Sequence, residues 1–499
     1  MSTIVRTDRS RVEQFQRCNR SRWLGYHEGP SGMGITSAQK PLALAVGGAV
    51  HEGLAVLLLA ASAPGWEGSE GQMRLTENLA VREALDDFEQ FDKGRLEVDT
   101  GEAVDLSALD EAERSRVRSA VDQYLYDEQR ALVEAMVRAY ARRRLRPLLE
   151  QYEVLEVERE GQWELGAWAD IHDMVPIWFM SRPDALLRDR ATNDLYIQSF
   201  KTGASWDLRK GKDAEHDAQG LSEGVEIEKR LGEWWTAIQA GAPPWNLNAG
   251  FQFDEKIVVA PKMADYLRHL KSQPRILGIR YEFLWKGERR RDKDLTARFG
   301  VETRSQSSHL VRGYYSAGMT DADSQWNWSW DYLKDGGETS KLYWKAWRGA
   351  PVWEHMPVAA WIDRLDATTL TVADEGREVG WSGPAQATGF TETHPLDAVF
   401  HPPIIVYRNS DDLRDWIEQT ESQELDIASR VAAVRAASDE GERRSLLNRH
   451  FPQSRHACVY PSQCQFVPIC YGGEDIRRDP LATRLYNIRT ANHPQETTL

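Results

Sequence analysis

Apolar positions along this chain recur first with a helical period, then with the two-residue alternation of strands, then with a helical period again. Thr7 to Tyr26 reads as a short helix carrying Phe15, Trp23 and Leu24, with Cys18 among basic and polar residues. A Gly/Pro/Ser-rich link follows from Gly29 to Pro41. Gly47 and Gly48 then open an apolar helix through about Ala61, with His51 in its first turn. Leu106 to Leu149 is long, periodic and charged, which predicts one or two surface helices. Strands are predicted at Tyr152–Arg159, Trp178–Arg188 and Leu195–Lys201, the last two forming a hairpin across Arg190, Asn193 and Asp194. Asp213 to about Ala240 is helical, and Ile257–Ala260 fits a further buried strand. From about Gly278 to Pro395 the chain is rich in Trp, Gly and Asp without a period, as expected of an insertion or accessory region. Leu413 to His450 is helical, and the tail behind it carries cysteines. No repeat of solenoid length is present.

Composition narrows this picture. With 499 residues, 41% hydrophobic and 28% charged, the chain can bury a large core with embellishments. The formal net charge of −15 excludes nucleic-acid binding by bulk electrostatics, so any such surface is local. Two groups supply candidates: Arg142, Arg143, Arg144 and Arg146, and Lys286, Arg289, Arg290, Arg291 and Lys293, each equally readable as a solvated basic face. The longest apolar run, Leu54–Ala61, is too short to cross a bilayer, and the first residues lack a signal-peptide core. A cytoplasmic protein with no membrane partner is the expectation. Four cysteines are too few for a secreted disulfide scaffold. Cys18, Cys458, Cys464 and Cys470, with none left over, match one closed site, and thiolates serve both iron–sulfur clusters and zinc.

The chemistry-bearing pair lies in the hairpin. Asp184, in Arg182-Pro183-Asp184, and Lys201, in Ser199-Phe200-Lys201-Thr202-Gly203, can face one cleft. Phosphodiester hydrolysis needs carboxylates to hold a divalent cation and a lysine to position water and offset developing charge.

In order along the chain, Cys18, the Gly47 to His51 spacing, Asp184, the Lys-Thr-Gly lysine Lys201, Gln219 and three late cysteines resemble the RecB-like nucleases of the PD-(D/E)XK superfamily. That group includes AddB nuclease domains, CRISPR-associated RecB-like nucleases and phage proteins. The matching blocks cover about the first 240 residues and the last 60. The resemblance implies an α/β fold with a restriction-endonuclease-like core: a mixed central sheet flanked by helices, with helical embellishments and a central insertion. It implies His51 and Asp184 as metal ligands, Lys201 as the catalytic lysine, Gln219 beside the substrate groove, and a [4Fe-4S] cluster on the four cysteines. The expected organisation is residues 1–65 with the first cysteine and His51, a helical region 66–150, a nuclease core 151–275, an insertion 276–400, and a cluster-binding region 401–499. A metal-dependent deoxyribonuclease using Mg²⁺ or Mn²⁺ on DNA ends or single strands follows, with recombination or replication proteins as expected partners. The helicase–nuclease alternative fails for want of a phosphate-binding loop.

Glu223 stands where the family commonly has Tyr, and five residues fill the first late-cysteine gap where relatives often have two, but one departure matters more. Ser199 stands where the family has an acid, and a hydroxyl brings no charge to a hard cation. Glu215, Gln219 and Glu223 are spaced by four on the following helix, so Glu215 is the preferred stand-in and Glu223 the second. Some restriction endonucleases resemble this arrangement. The competing reading is a DNA-binding or assembly protein that kept the fold and lost the chemistry.

Overall fold

The computed structural model describes residues 5–489 except 30–31, 39, 91–95, 98–109, 170–173, 204–213, 215–216, 242–259, 287–288, 292–305, 309, 312–329, 336–338, 345–350, 368–369, 372–391, 394 and 460–462. The elements that frame the site begin with β1 (Val5–Asp8), α1 (Arg9–Arg17), α2 (Asn19–Tyr26), β2 (Ile35–Ser37) and α3 (Leu42–Ser62). Next come α4 (Glu70–Glu89), α5 (Glu111–Tyr140), α6 (Arg146–Gln151), β3 (Tyr152–Val157), β4 (Gly161–Ala169), β5 (Met174–Ser181), β6 (Ala185–Asp189) and β7 (Leu195–Gly203). Then follow α7 (Ala218–Gln239), α8 (Ala260–His269), β8 (Ile276–Trp285), α9 (Val358–Asp366), β9 (Ile404–Tyr407), α10 (Ser410–Arg435), α11 (Glu440–His450) and β10 (Tyr486–Ile488).

The protein is a mixed α/β structure around a five-stranded sheet in the order β9-β8-β7-β6-β3. Only β7 and β8 are parallel; the other neighbours are antiparallel. A parallel pair needs a crossover, which α7 and α8 supply. Successive side chains of β7 part to opposite faces. Leu195 and Ile197 pack with Leu186, Ile227, Leu267 and Tyr281 beneath α7 and α8, while Tyr196 and Phe200 pack with Val50, Leu54 and Tyr140 from α3 and α5.

Helix α3 begins at Leu42, so His51 sits in its middle, not its first turn. Two glycines let it approach its neighbours. A Cβ on Gly47 would lie 3.0 Å from Thr202 Oγ1 on β7, and one on Gly53 would lie 2.7 Å from Val137 on α5. By length and composition Leu44–Ser62 would suffice to cross a membrane, yet Val46, Val50, Leu54, Leu57 and Leu58 are fully buried in the protein's own core.

Three further expectations need correction. The charged stretch before β3 is not a surface helix: Leu132, Val133, Met136, Val137 and Tyr140 of α5 are buried, and its charges pair inward, with Arg138 Nη1 2.7 Å from the buried Glu77. It continues through a π-helical turn, Ala141–Leu145, into α6. Trp178–Arg188 is not one strand. β5 joins β1 and β4 in a second sheet, β6 belongs to the first, and Pro183, with no N–H to give a ladder, lies in the break. Finally, Thr7–Tyr26 is a strand and two helices, parted at Cys18, which has extended backbone (φ −160°). Of the strand expected at Ile257–Ala260, residues 257–259 lie outside the described residues and Ala260 opens α8.

The early and late segments meet in a core of their own. Trp23, Leu24 and Ile35 pack with Ile427, Val431, Phe451, Phe466 and Ile469. β2 pairs antiparallel with β10, and a fully buried ion pair joins Arg22 of α2 to Glu424 of α10 at 2.9 Å.

Candidate active site

The hairpin delivers Asp184 at the entrance of β6 and Lys201 near the exit of β7. Asp184 Oδ2 accepts the backbone N–H of Phe200, which binds the carboxylate to the strand that carries the lysine. From α3, His51 brings Nδ1 to 3.4 Å from Asp184 Oδ1, one turn after the close approach of Gly47 to Thr202. The Gly47 to His51 spacing thus has a physical reason: the glycine seats the helix on β7, and the next turn reaches the carboxylate. Burial opposes a charged imidazole, but Asp184 outweighs it and raises His51 above its ordinary value. Burial likewise works against the Asp184 anion, and His51, the Phe200 N–H and Lys201 together hold it below the usual range.

Two further acids complete the site, and sequence reasoning missed both. Glu158 follows β3 in the left-handed region, with φ 49°, and its N–H donates to the Asp184 carbonyl at 3.0 Å. Burial first, then the neighbouring Asp184 charge, push its carboxyl up to about 7. Asp217, just ahead of α7, places Oδ2 3.2 Å from Lys201 Nζ and Oδ1 3.1 Å from Arg9 Nη2. A non-glycine residue forced to positive φ beside two ionisable partners was the sequence-invisible mark of Glu158. Asp217 lies within the stretch read as helical, two residues beyond the acid that the spacing favoured.

Glu215, the preferred stand-in, lies outside the described residues, and α7 begins at Ala218. Gln219 is in the first turn of α7, with its side chain outside the described residues. Glu223 is buried on α7, close enough for its charge to act on both Arg9 and Tyr281. Ser199 pairs in register with Tyr281; both are buried, and among the described residues neither its Oγ nor the Tyr281 hydroxyl finds a hydrogen-bond partner. Among the described residues, no three His, Cys, Asp or Glu side chains are gathered tightly enough to hold a metal ion as they stand.

The cysteines share one neighbourhood. Cys18 Sγ accepts the N–H of Ser454 at 3.4 Å, Cys458 Sγ donates to the Ser454 carbonyl at 3.4 Å, and the Cys464 N–H reaches the Cys458 carbonyl at 2.9 Å. All four are free thiols. Burial pushes the Cys470 thiol up to about 11; Arg20 opposes the shift, while Cys464, Cys18 and Cys458 add to it. Burial also raises Cys464, with Cys18 and Cys458 contributing. Compared with known proteins, the chain matches no protein-family model and no curated protein at a significant level. The site must therefore be judged on its own chemistry.

The first basic group is not an open surface. Arg142 pairs with Glu77 and Asp363, Arg143 grips Asp397 with two bonds of 3.0 and 2.8 Å, and Arg144 reaches Glu282 and the His401 carbonyl. Arg146 donates to the Gly68 carbonyl. These arginines tie α6 and the turn before it to neighbouring elements. In the second group Lys286 is buried, Arg289–Arg291 form a short strand whose side chains lie outside the described residues, and so does Lys293. Of the tryptophans at 326–353, Trp353 packs edge-on against Tyr124 of α5, and Trp330 and Trp344 are in register across a two-stranded ladder. Trp326, Trp328 and Trp347 lie outside the described residues.

The titrations set an expected pH response. Folded Glu158 keeps its proton from its ordinary 4.5 up to about 7, so over that window the folded state binds more protons than the unfolded state and stability falls as pH rises. His51 extends the loss above its ordinary 6.5, because its stabilising charge is present below that value and lost as pH passes its raised folded value. Glu158→Gln should therefore raise the melting temperature at pH 8, by the equivalent of roughly 1–3 kcal/mol, and leave it unchanged at pH 4. Thermal melts of both proteins at the two pH values decide this; an equal shift at both would remove Glu158 as the source.

Proposed function

We propose that this protein is a metal-dependent deoxyribonuclease with a restriction-endonuclease-like core of the RecB-like kind, acting on DNA ends or single strands. One observation carries the reading: the hairpin that bears Asp184 and Lys201 meets His51 of α3 and Glu158 at Asp184, and Asp217 at Lys201. Four separate segments that bring ionisable side chains together are the expected build of a hydrolytic site.

The donors suit a divalent cation. Burial first, then the Asp184 charge, raise the Glu158 carboxyl, and a bound cation would favour its charged form. His51, Asp184 and Glu158 would hold Mg²⁺ or Mn²⁺, the imidazole suiting Mn²⁺ better. When bound, the ion would lower the pKa of water and stabilise the leaving oxygen. The chain's own contribution is positional. Lys201, held by Asp217, offers its ammonium to the developing phosphate charge, and Asp184 is fixed by the Phe200 N–H so that its other oxygen faces His51.

The cysteine set suits an iron–sulfur cluster. Burial first, then the neighbouring cysteines, raise the Cys464 and Cys470 thiols, and a cationic core would favour their thiolate forms. No tight C-x2-4-C pair of the zinc-ribbon kind is present, so a [4Fe-4S] cluster on Cys18, Cys458, Cys464 and Cys470 is the reading preferred over zinc. Its role is structural.

Ser199 favours a second reading, a DNA-binding or assembly protein without catalysis, because its buried hydroxyl stands where a carboxylate would face the metal. The two separate in one assay. Anaerobically purified protein with Mn²⁺ or Mg²⁺ should shorten linear DNA and stop on chelation; DNA retained on the protein but intact under every metal would favour the second.

A further inference from the structure

We propose that Arg9 is a positioning residue: through Asp217 it fixes the Lys201 ammonium, and α1 makes that fixing depend on how Cys18 is held. The kinetic part rests on the nuclease reading of Lys201; the structural part does not.

Asp217 is a two-sided bridge, with Oδ2 on Lys201 and Oδ1 on Arg9. Arg9 is the first residue of α1, and its Nε also holds Glu13 one turn on at 2.7 Å, so the guanidinium is anchored on its own helix before it meets Asp217. Cys18 is the C-cap of the same helix. Nine residues at about 1.5 Å each make α1 a rod of about 14 Å between Arg9 and Cys18.

The rod is seated at both ends. At its start, Asp8 caps α1 by accepting the Arg11 N–H, and β1 runs parallel to β5, the strand that leads through Arg182-Pro183 to Asp184. At its end, Arg17 reaches the Ala457 carbonyl and Arg20 the Phe451 carbonyl, both in the segment that carries the later cysteines. A shift of Cys18 relative to the tail therefore pulls on α1, and Arg9 is where α1 touches the bridge to Lys201. Asp217 precedes α7 and has no place in a strand ladder, so an ion pair is an effective way to hold it.

The test uses the full chain with Arg9→Ala, Arg9→Lys and Cys18→Ala, read by peptide-resolved hydrogen exchange and by cleavage kinetics. Arg9 is one-third exposed, so its alanine variant should fold. Expected in Arg9→Ala is exchange about tenfold faster at residues 217–223, with α3 to α5 unchanged. Arg9→Lys should stay near wild type, and Cys18→Ala should speed the same 217–223 peptides as well as those of the tail. Cleavage by Arg9→Ala should lose about tenfold in kcat with KM for DNA within about twofold. Exchange at 217–223 that ignores Arg9→Ala, or that Arg9→Lys fails to rescue, would overturn the positioning role. Cys18→Ala that perturbs only the tail would overturn the link through α1. If wild type cleaves no DNA, the nuclease reading fails and the exchange result still decides this one.

Discussion

Lys201→Ala is expected to lower metal-dependent DNA cleavage at least about 100-fold, the usual loss when one stabiliser of developing charge is removed. The fold should survive: the Lys201 side chain is about a quarter exposed, and its ammonium lies over the Tyr281 ring and against Asp217 without bearing on either core. Melting temperature should therefore stay near wild type while single-turnover cleavage of linear DNA collapses. Asp184→Asn should be as inactive, and less clean. The amide still offers an oxygen to the Phe200 N–H, but the charge that raises His51 is gone. Cleavage by Lys201→Ala within threefold of wild type would end the case for this lysine.

Cys464→Ala should show the second large effect, on stability and on metal content together. Its side chain packs with Cys470 against the core that joins α2 to α10 and α11, so loss of a cluster bonded there would free the tail from the Cys18 helix. Removing a native cross-link of a domain commonly costs about 2–5 kcal/mol. A lowered melting temperature with loss of iron and of the visible charge-transfer absorption is expected, and chelation of the wild-type protein should reproduce it. A Cys464→Ala protein that keeps a full complement of iron would dismiss the four-thiol site. The protein contacts between α2 and the tail moderate the effect, since Arg22–Glu424 and the β2–β10 ladder also bring the segments together.

The sequence carried the parts of the site that obey short-range rules. Asp184 and Lys201 are legible because a hairpin joins neighbours in sequence, and two-residue alternation places Ser199 and Lys201 on one face. The cysteine quartet is legible by count alone. His51 was assigned to the site, though not to its place in the helix, because apolar residues before Gly47 continue α3 back to Leu42.

Long-range partners were not legible. β1 finds β5 some 170 residues away, and nothing in Val5–Asp8 announces it. Glu158 needed a backbone turn that no propensity favours, and Asp217 needed Arg9, more than 200 residues earlier. Charge was the most misleading signal. Arg138, Arg142 and Arg143 look solvated until Glu77, Asp363 and Asp397 arrive from elsewhere to neutralise them. The mixed α/β class survives these errors because it depends on which periods occur, not on which residues meet.

The interlock of α2 and β2 with residues 410–489 has a consequence for how the protein is made. On the ribosome, the helix behind Cys18 has to wait while some four hundred further residues emerge, its indole and buried guanidinium without a seat until Glu424 and Phe451 are translated. Chains arrested at residue 400 should therefore be cut by protease within 19–26, where the finished protein resists.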